Sequence, residues 1–136
     1  MTLYLVDTSV WIGFFRASPT AAVERLKALL AIGIEIGTCT AVLQEILQGT
    51  TDQRRFNQYR SYFETQPIHL PRDPIRSTIA AAQMYFDCRR QGITVRSSND
   101  CLIAQMALEH GLILLHDDED FRRIGRVVPE LREVSR

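Results

Sequence analysis

A chain of 136 residues is long enough for one hydrophobic core, so we expect a single domain over residues 1–136. Its 46% hydrophobic and 24% charged residues are ordinary for a globular protein and exclude a disordered chain, a collagen-like repeat and a coiled coil. The 16 basic and 16 acidic residues cancel, so net charge gives no argument for nucleic-acid binding. All the basic residues except Lys27 are arginines, which can hold a phosphate through two donors.

The sequence has no segment typical of a membrane or secreted protein. No apolar run approaches the ~20 residues that cross a bilayer, and no basic segment followed by a long apolar stretch opens the chain. Cys39, Cys88 and Cys101 are odd in number and form no Cys-x-x-Cys pair, which favours neither a disulfide framework nor a zinc site. We therefore expect a cytoplasmic protein with buried, reduced thiols.

The first half of the chain alternates short apolar runs with segments of helical periodicity. A run of four apolar residues is too short for a helix and indicates a buried strand, whereas apolar residues spaced three and four apart indicate a helix. The predicted elements are a strand at Leu3 to Val6, a helix capped by Asp7, a helix starting at Ser18-Pro19 and ending before Gly33, a strand at Ile34 to Gly37, a helix capped by Thr40 and ending at Gly49, and a polar helix from Thr51 to about Gln66.

The second half continues this alternation. The predicted elements are a short extended segment at Pro67 to Leu70, a helix from Asp73-Pro74 to Gly92, a helix beginning at Ser98 or Asn99 and ending at Gly111, a strand at Leu112 to Leu115, and a last strand near Leu131 to Val134. Strands that alternate with helices predict an α/β fold, in which a parallel sheet is covered on both faces. Sites in such sheets lie beyond the carboxyl ends of the strands.

Four acidic residues lie beside apolar runs that would hold them near the core. Asp7 and Asp118 follow the two most apolar strands, Asp100 falls in the first turn of a helix, and Glu45 lies at the edge of an apolar helix face. Taken singly, Asp7 can be a helix cap, Asp100 a partner of the helix dipole, Glu45 a solvated residue, and Asp117 to Asp120 an exposed turn. Together they predict one acidic site, because converging carboxylates need cations to stay ionised.

Such a site favours Mg²⁺ or Mn²⁺, which are hard cations that prefer oxygen ligands. The histidines at positions 69, 110 and 116 lack the spacing of a zinc-binding pair, although His116 lies close to the site in sequence. Enzymes that form an aspartyl phosphate place a lysine in the site, whereas Lys27 lies in a predicted helix away from any strand end. Glycine-rich phosphate-binding loops are also missing from the sequence.

Four blocks of sequence together resemble a known family. They are VDTSVWI at Val6–Ile12, LQEI at Leu43–Ile46, VRSSNDCLIA at Val95–Ala104, and HDDEDF at His116–Phe121. In their order and spacing the chain resembles, over nearly its whole length, a PIN-domain protein of the VapC toxin type.

The resemblance implies a three-layer α/β/α sandwich with a central parallel sheet, and the activity of a Mg²⁺- or Mn²⁺-dependent endoribonuclease. It also implies a VapB-type antitoxin as partner, RNA as substrate, and a homodimer. Carried over by position, the four catalytic acids are Asp7, Glu45, Asp100 and Asp118. Asp7, Asp100 and Asp118 would be the metal ligands, and whether Asp117 or Asp120, the other aspartates of the last block, shares the role of Asp118 stays open.

Two further side chains are candidates for contact with the substrate. Arg96 lies four residues before Asp100 and can bind a phosphate, and the hydroxyl of Thr8 or Ser9 can hydrogen-bond the site. Hydrolysis by water, assisted by Glu45 as general base, would leave a 5′-phosphate. Two other functions stay open, a PIN nuclease of housekeeping RNA processing and a non-catalytic RNA-binding domain.

The polar helix from Thr51 to about Gln66 carries an aromatic stripe at Phe56, Tyr59 and Phe63. Such a stripe can pack in the core, form a dimer contact, or receive a helix of the antitoxin, and core packing is our expectation.

Overall fold

Five parallel strands form the central sheet of the computed structural model, which describes residues 2–135. The strands are β1 (Tyr4–Val6), β2 (Ile36–Cys39), β3 (Ile68–His69), β4 (Ile113–Leu115) and β5 (Glu133–Val134). Their order across the sheet is β3-β2-β1-β4-β5. Leu5 in β1 pairs with Gly37 on one side and with Leu114 on the other. The carboxyl ends of β2, β1 and β4 therefore lie side by side.

Seven helices in the described part of the chain connect and flank these strands. They are α1 (Thr8–Phe15), α2 (Ala21–Ala31), α3 (Thr40–Gln48), α4 (Gln53–Glu64), α5 (Pro74–Arg90), α6 (Ser98–Glu109) and α7 (Glu119–Val127). The arrangement confirms the α/β prediction and is that of a three-layer α/β/α sandwich around a parallel sheet. Within residues 2–135, every helix is too short or too polar to span a bilayer.

Two helices begin elsewhere than the sequence predicts. Ser18 does not cap α2, because it belongs to the turn that ends α1, where its backbone N–H donates to the Gly13 carbonyl at 2.8 Å, and α2 starts only at Ala21. The cap is Thr20, whose hydroxyl accepts from the Val23 N–H at 3.2 Å. Thr40 is the first residue of α3 and not its cap, because β2 stays paired to β3 through Cys39.

The acidic run after β4 forms a helix start and not an exposed turn. The Asp118 carboxylate caps α7 by accepting from the Asp120 N–H at 3.0 Å. Asp120, Phe121 and Ile124 are buried along one side of this helix, which packs against α5 and α6. The site acids of this run are therefore attached to a helix anchored in the core.

The apolar runs predicted as strands do form the centre of the core. Leu5, Val6, Leu114 and Leu115 are fully buried. The three cysteines are buried and unpaired, as predicted.

The aromatic stripe of α4 mostly follows the expectation of core packing. Phe63 is fully buried and meets the Trp11 ring edge-on, with centroids 5.0 Å apart. Tyr59 is half-buried and stacks on Phe15, at a centroid distance of 4.3 Å. Phe56 is half-buried. Phe63 and Tyr59 thus pack α4 against α1, the helix that begins beside Asp7.

Candidate functional site

Asp7 lies where β1 passes into α1, and its backbone and side chain join the ends of two strands. Its N–H donates to the Leu115 carbonyl at 2.9 Å, and its carboxylate accepts from the N–H and hydroxyl of Ser9 at 3.0 and 2.6 Å. The Ser9 hydroxyl oxygen in turn accepts from the Asp117 N–H at 3.0 Å. The loops that follow β1 and β4 are therefore held together around a buried carboxylate.

Glu45 reaches the same edge of the sheet from α3, which starts at the end of β2. Its side chain is half-buried, and its Oε1 accepts a hydrogen bond from the Thr8 hydroxyl at 3.1 Å. Thr8, predicted as a substrate contact, is thus placed in direct contact with one of the predicted catalytic acids.

Three carboxylates come together between α6 and α7. Oxygens of Asp100, Asp118 and Asp120 lie within 4.8 Å of one another, close enough to coordinate one metal ion. Asp100 and Asp120 are buried, whereas the Asp118 side chain is 28% exposed. The site is consequently buried at its base and accessible through Asp118.

This triad differs in one member from the metal ligands predicted from the sequence. It contains Asp100 and Asp118 but has Asp120 in the place of Asp7. Asp7 is close enough for its charge to raise the pKa of Asp100, so it borders the same centre. Asp117 is exposed and does not belong to the triad. A sequence signal for Asp120 did exist, because Ile124 lies four residues later and places Asp120 on the apolar face of a helix.

Three carboxyl groups at this centre, those of Asp100, Asp7 and Glu45, have raised pKa values. Burial, together with the negative charges of Asp7 and Asp118 and a hydrogen bond to Asp120, raises the pKa of Asp100 to about 8. Burial also raises the pKa of Asp7, although the hydrogen bonds from Ser9 oppose the shift. The pKa of Glu45 is raised by burial and by its acidic neighbours, against the hydrogen bond from Thr8.

Asp120 is the exception among these acids. Burial disfavours its charged form, but hydrogen bonds from the Arg96 N–H at 3.0 Å and the Arg123 guanidinium at 2.9 Å prevail, and they lower the pKa of Asp120. Asp120 is therefore the acid that keeps its charge, beside the Asp100 carboxyl that tends to keep its proton. A divalent cation can replace that proton, so the donor set fits a hard metal ion.

His116 positions the Asp118 loop and is not a ligand of the triad. Its ring is fully buried, its Nδ1 accepts from the Asp118 N–H at 3.2 Å, and its Nε2 lies 3.1 Å from a carboxylate oxygen of Glu133. Because Nδ1 accepts, the proton of the neutral ring sits on Nε2 and is donated to Glu133. The ring thus connects the start of α7 to β5.

Arg96 borders the triad on its solvent side. Its Nη2 lies 3.2 Å from Asp118 Oδ1, and its Nε lies 3.5 Å from Asp120 Oδ1. The side chain is 68% exposed, so it can reach a bound anion while remaining beside the acids.

Comparison with known proteins identifies this arrangement. The PIN domain family matches the chain over residues 4–127. The chain belongs to the PIN domain family. Among curated relatives, this PIN domain is 39% identical to Ribonuclease VapC11 of Mycobacterium tuberculosis over 126 residues, which are 92% of this chain and 93% of the relative. A VapC ribonuclease of Mycobacterium bovis matches it to the same extent.

Solved structures of similar fold come from toxin-antitoxin complexes. A chain of VapBC-1 from nontypeable Haemophilus influenzae superimposes on this PIN domain with a TM-score of 0.74, at 18% identity, over 98% of this chain and 97% of the other. A chain of VapBC2 from Rickettsia felis, crystallised on a promoter DNA fragment, gives a TM-score of 0.72 at 18% identity and covers 98% of each chain. At this low identity the likeness shows the shared fold.

Proposed function

We propose that this PIN domain is a metal-dependent endoribonuclease, the toxin of a type II toxin-antitoxin pair, which hydrolyses RNA phosphodiester bonds in the cytoplasm. The observation that carries the proposal is the meeting of Asp7, Glu45, Asp100 and Asp118 at one end of the sheet, with Asp120 beside them. The names of the curated relatives support it, since these proteins are called ribonucleases.

The proposed metal is Mg²⁺ or Mn²⁺, held by Asp7, Asp100 and Asp118, and we add Asp120 to this set because of its place in the triad. When bound, the ion would make a water molecule more acidic and neutralise charge that develops on the phosphate oxygens. The protein itself supplies the ligands in fixed positions, because Ser9, His116 and Arg123 hold the loops and carboxylates in place.

Glu45 is our candidate for the general base. Its raised pKa makes the carboxylate a better proton acceptor than a solvated glutamate, and the Thr8 hydroxyl fixes its orientation. Arg96 would bind the phosphate that is cleaved, and Thr8 would contact the substrate or keep Glu45 aligned. We propose that water attacks the phosphorus, without use of the RNA 2′-hydroxyl, and that the P–O3′ bond breaks, so one product would carry a 5′-phosphate and the other a 3′-hydroxyl.

Cleavage of RNA by the purified protein tests the proposal. We expect a single-stranded RNA to be cut in Mg²⁺ or Mn²⁺, no cleavage in excess EDTA, and recovery when the metal is restored. Products whose 5′ ends accept ligation directly would identify the 5′-phosphate. The Asp7→Asn variant, purified in parallel, controls for contaminating nucleases. Equal cleavage by the wild type and Asp7→Asn, or cleavage that persists in EDTA, would refute the metal-dependent mechanism.

The VapB-type antitoxin has a candidate groove next to the proposed general base. A cavity of about 270 Å³ extends from Glu45 along α1, α3 and α4, and apolar side chains such as Ile12, Phe15 and Tyr59 line it together with Arg16. An amphipathic segment of the antitoxin would fill this groove and extend a basic side chain towards the acids, where it would compete with metal and RNA.

A housekeeping nuclease would have the same chemistry but no antitoxin. For a toxin, we expect growth arrest when the protein is expressed, and relief of that arrest by co-expression of a short DNA-binding protein encoded next to it. RNA cleavage without growth arrest would instead favour RNA processing. A non-catalytic RNA-binding domain is disfavoured, because the acids predicted for catalysis are all present.

We also propose that the protein forms a homodimer through α5. Ile75, Ile79 and Phe86 form a stripe on this helix, and they are 74%, 62% and 47% exposed. The exposed Ala82 between Ile79 and Phe86 leaves room for a second helix to approach closely. These four residues are spaced four, three and four positions apart in the sequence, which places them along one face of α5. A second copy of α5 in antiparallel orientation can cover that face.

Introducing a charge into this stripe should separate the dimer. We expect Ile79→Asp to be monomeric in light-scattering measurements at concentrations where the wild type is dimeric, because burial of an unpaired carboxylate in the interface is unfavourable. Ile32→Asp is a matched control, since Ile32 is 73% exposed at the end of α2. Dimers that persist in Ile79→Asp, or dissociate equally in both variants, would exclude the α5 stripe as the interface.

A further inference from the structure

The geometry points to a second phosphate-binding site, an arginine-lined cavity beside the metal site that holds a phosphodiester of the RNA next to the one that is cleaved. The cavity lies between the segment after α5 and helix α7, and measures about 400 Å³. Its lining consists of Gly92, Ile93, Thr94, Arg96, Arg123 and Arg126. This inference rests on the proposed ribonuclease function, because it says that a second phosphodiester of the RNA substrate binds in this cavity.

The lining of the cavity is positively charged. Its three arginines are accompanied by no acidic lining residue in the part of the chain that the structure describes. Acids do lie behind the lining: Asp120 is buried below Arg96 and Arg123, and pairs with both guanidinium groups. Two of the three cations that the cavity presents to solvent, Arg96 and Arg123, are thus held in place by Asp120.

Arg126 is the least neutralised of the three arginines. Its nearest ion-pair partner is Glu119, at 3.9 Å, and that carboxylate is held more closely by Arg122 at 3.0 Å. The Arg126 side chain is 64% exposed and can turn towards a ligand at little cost. A planar guanidinium in this position can bind two oxygens of one phosphate.

The cavity and the metal site share a wall. Asp120 belongs to the carboxylate triad, and its Oδ1 is contacted by Arg123 and Arg96, which both line the cavity. A polynucleotide whose cleaved phosphate lies at the triad would therefore pass over Arg96 and place a neighbouring phosphate near Arg126. A cavity of this volume has room for a phosphate with its ribose, because small-molecule sites measure ~300 to 1,000 Å³.

Arg126→Ala tests the site without disturbing the triad. RNA binding is measured by fluorescence anisotropy with a labelled single-stranded RNA oligonucleotide in EDTA, at several salt concentrations, where metal-dependent cleavage cannot occur. We expect affinity to fall about 5- to 10-fold, and the slope of log affinity against log salt to decrease by about 0.7, the value for one lost phosphate contact on a single strand. Arg126→Lys should recover part of the affinity, because it retains the charge but not the two-donor geometry.

Arg25→Ala serves as the matched control, since Arg25 is an exposed arginine of α2 outside the cavity. Equal affinity and salt slope in Arg126→Ala and Arg25→Ala would overturn the site. The same proteins are then assayed for cleavage in Mg²⁺. If the wild type cleaves RNA and Arg126→Ala has an unchanged KM, the cavity assignment fails while the nuclease stands. If the wild type does not cleave but Arg126→Ala alone loses affinity, the nuclease proposal fails while the cavity stands.

Discussion

Replacing Asp100 with Asn is expected to abolish RNA cleavage and, at the same time, to stabilise the metal-free protein above neutral pH. Asp100 lies in the triad beside Asp118 and Asp120, and its carboxylate is one of the proposed metal ligands. An amide of the same shape is a neutral and weaker ligand, so we expect kcat/KM to fall at least ~100-fold, equivalent to about 2.7 kcal/mol of transition-state stabilisation.

The gain in stability follows from the raised pKa of Asp100, which is about 8 in the folded protein and 3.8 for an ordinary aspartate. The folded state therefore holds this proton more tightly than the unfolded state. Its contribution to the free energy of unfolding is complete below pH 4 and is lost as the pH rises towards 8. The amide that replaces the carboxyl group in the variant has no such proton to lose. We expect Asp100→Asn to raise the free energy of unfolding by several kcal/mol at pH 8, since a difference of about four pKa units corresponds to ~5 kcal/mol, and to change it little at pH 4.

Urea denaturation in EDTA at pH 4, 6 and 8 measures this effect. The wild type should become less stable across the series, and Asp100→Asn should show a smaller decline, with a remainder from Asp7 and Glu45, whose pKa values are also raised. Glu130→Gln, at an exposed carboxylate, controls for the loss of one negative charge. A variant that keeps full ribonuclease activity would remove Asp100 from the catalytic machinery, and equal pH dependence of stability would contradict its pKa.

Asp120 and Asp117 are expected to differ sharply, although both are aspartates of the same short run. Asp120 is buried in the triad and fixed by Arg96 and Arg123, whereas Asp117 is exposed and outside the triad. We expect Asp120→Asn to lower kcat/KM at least ~100-fold and to weaken Mn²⁺ binding, because the site loses a negative charge. Asp117→Asn should stay within about 3-fold of the wild type.

Isothermal titration with Mn²⁺ separates ligand loss from a general loss of structure. Asp120→Asn leaves Arg123 without its anionic partner, so its thermal unfolding must be measured alongside. A folded Asp120→Asn protein with weakened metal binding would support Asp120 as a ligand. Wild-type activity in that variant, or an equal loss of activity in Asp117→Asn, would show that the triad is not the metal site.

Local sequence patterns were sufficient for most of the fold. The apolar runs before Asp7 and His116 form central strands. Strands of a parallel sheet are buried on both faces, so a short run that is apolar throughout is typical of them. Helix starts were less certain where two capping residues lay close together. Ser18 and Thr20 are both suitable caps, and the choice depended on where the turn after α1 ends, which places Thr20 and not Ser18 directly before α2.

The order of the strands and of all the helices except α7, and the identity of the acids that follow them, could be predicted from local sequence. Apolar periodicity and capping are properties of neighbouring residues, and the four acidic positions stand in family order along the chain. Three-dimensional packing was needed to show that Asp120 joins Asp100 and Asp118, and that Arg123 and Arg126 line a cavity beside them. Burial and electrostatic partners depend on distances between elements remote in sequence, because α7 carries Asp120 into contact with the Arg96 backbone, 24 residues away.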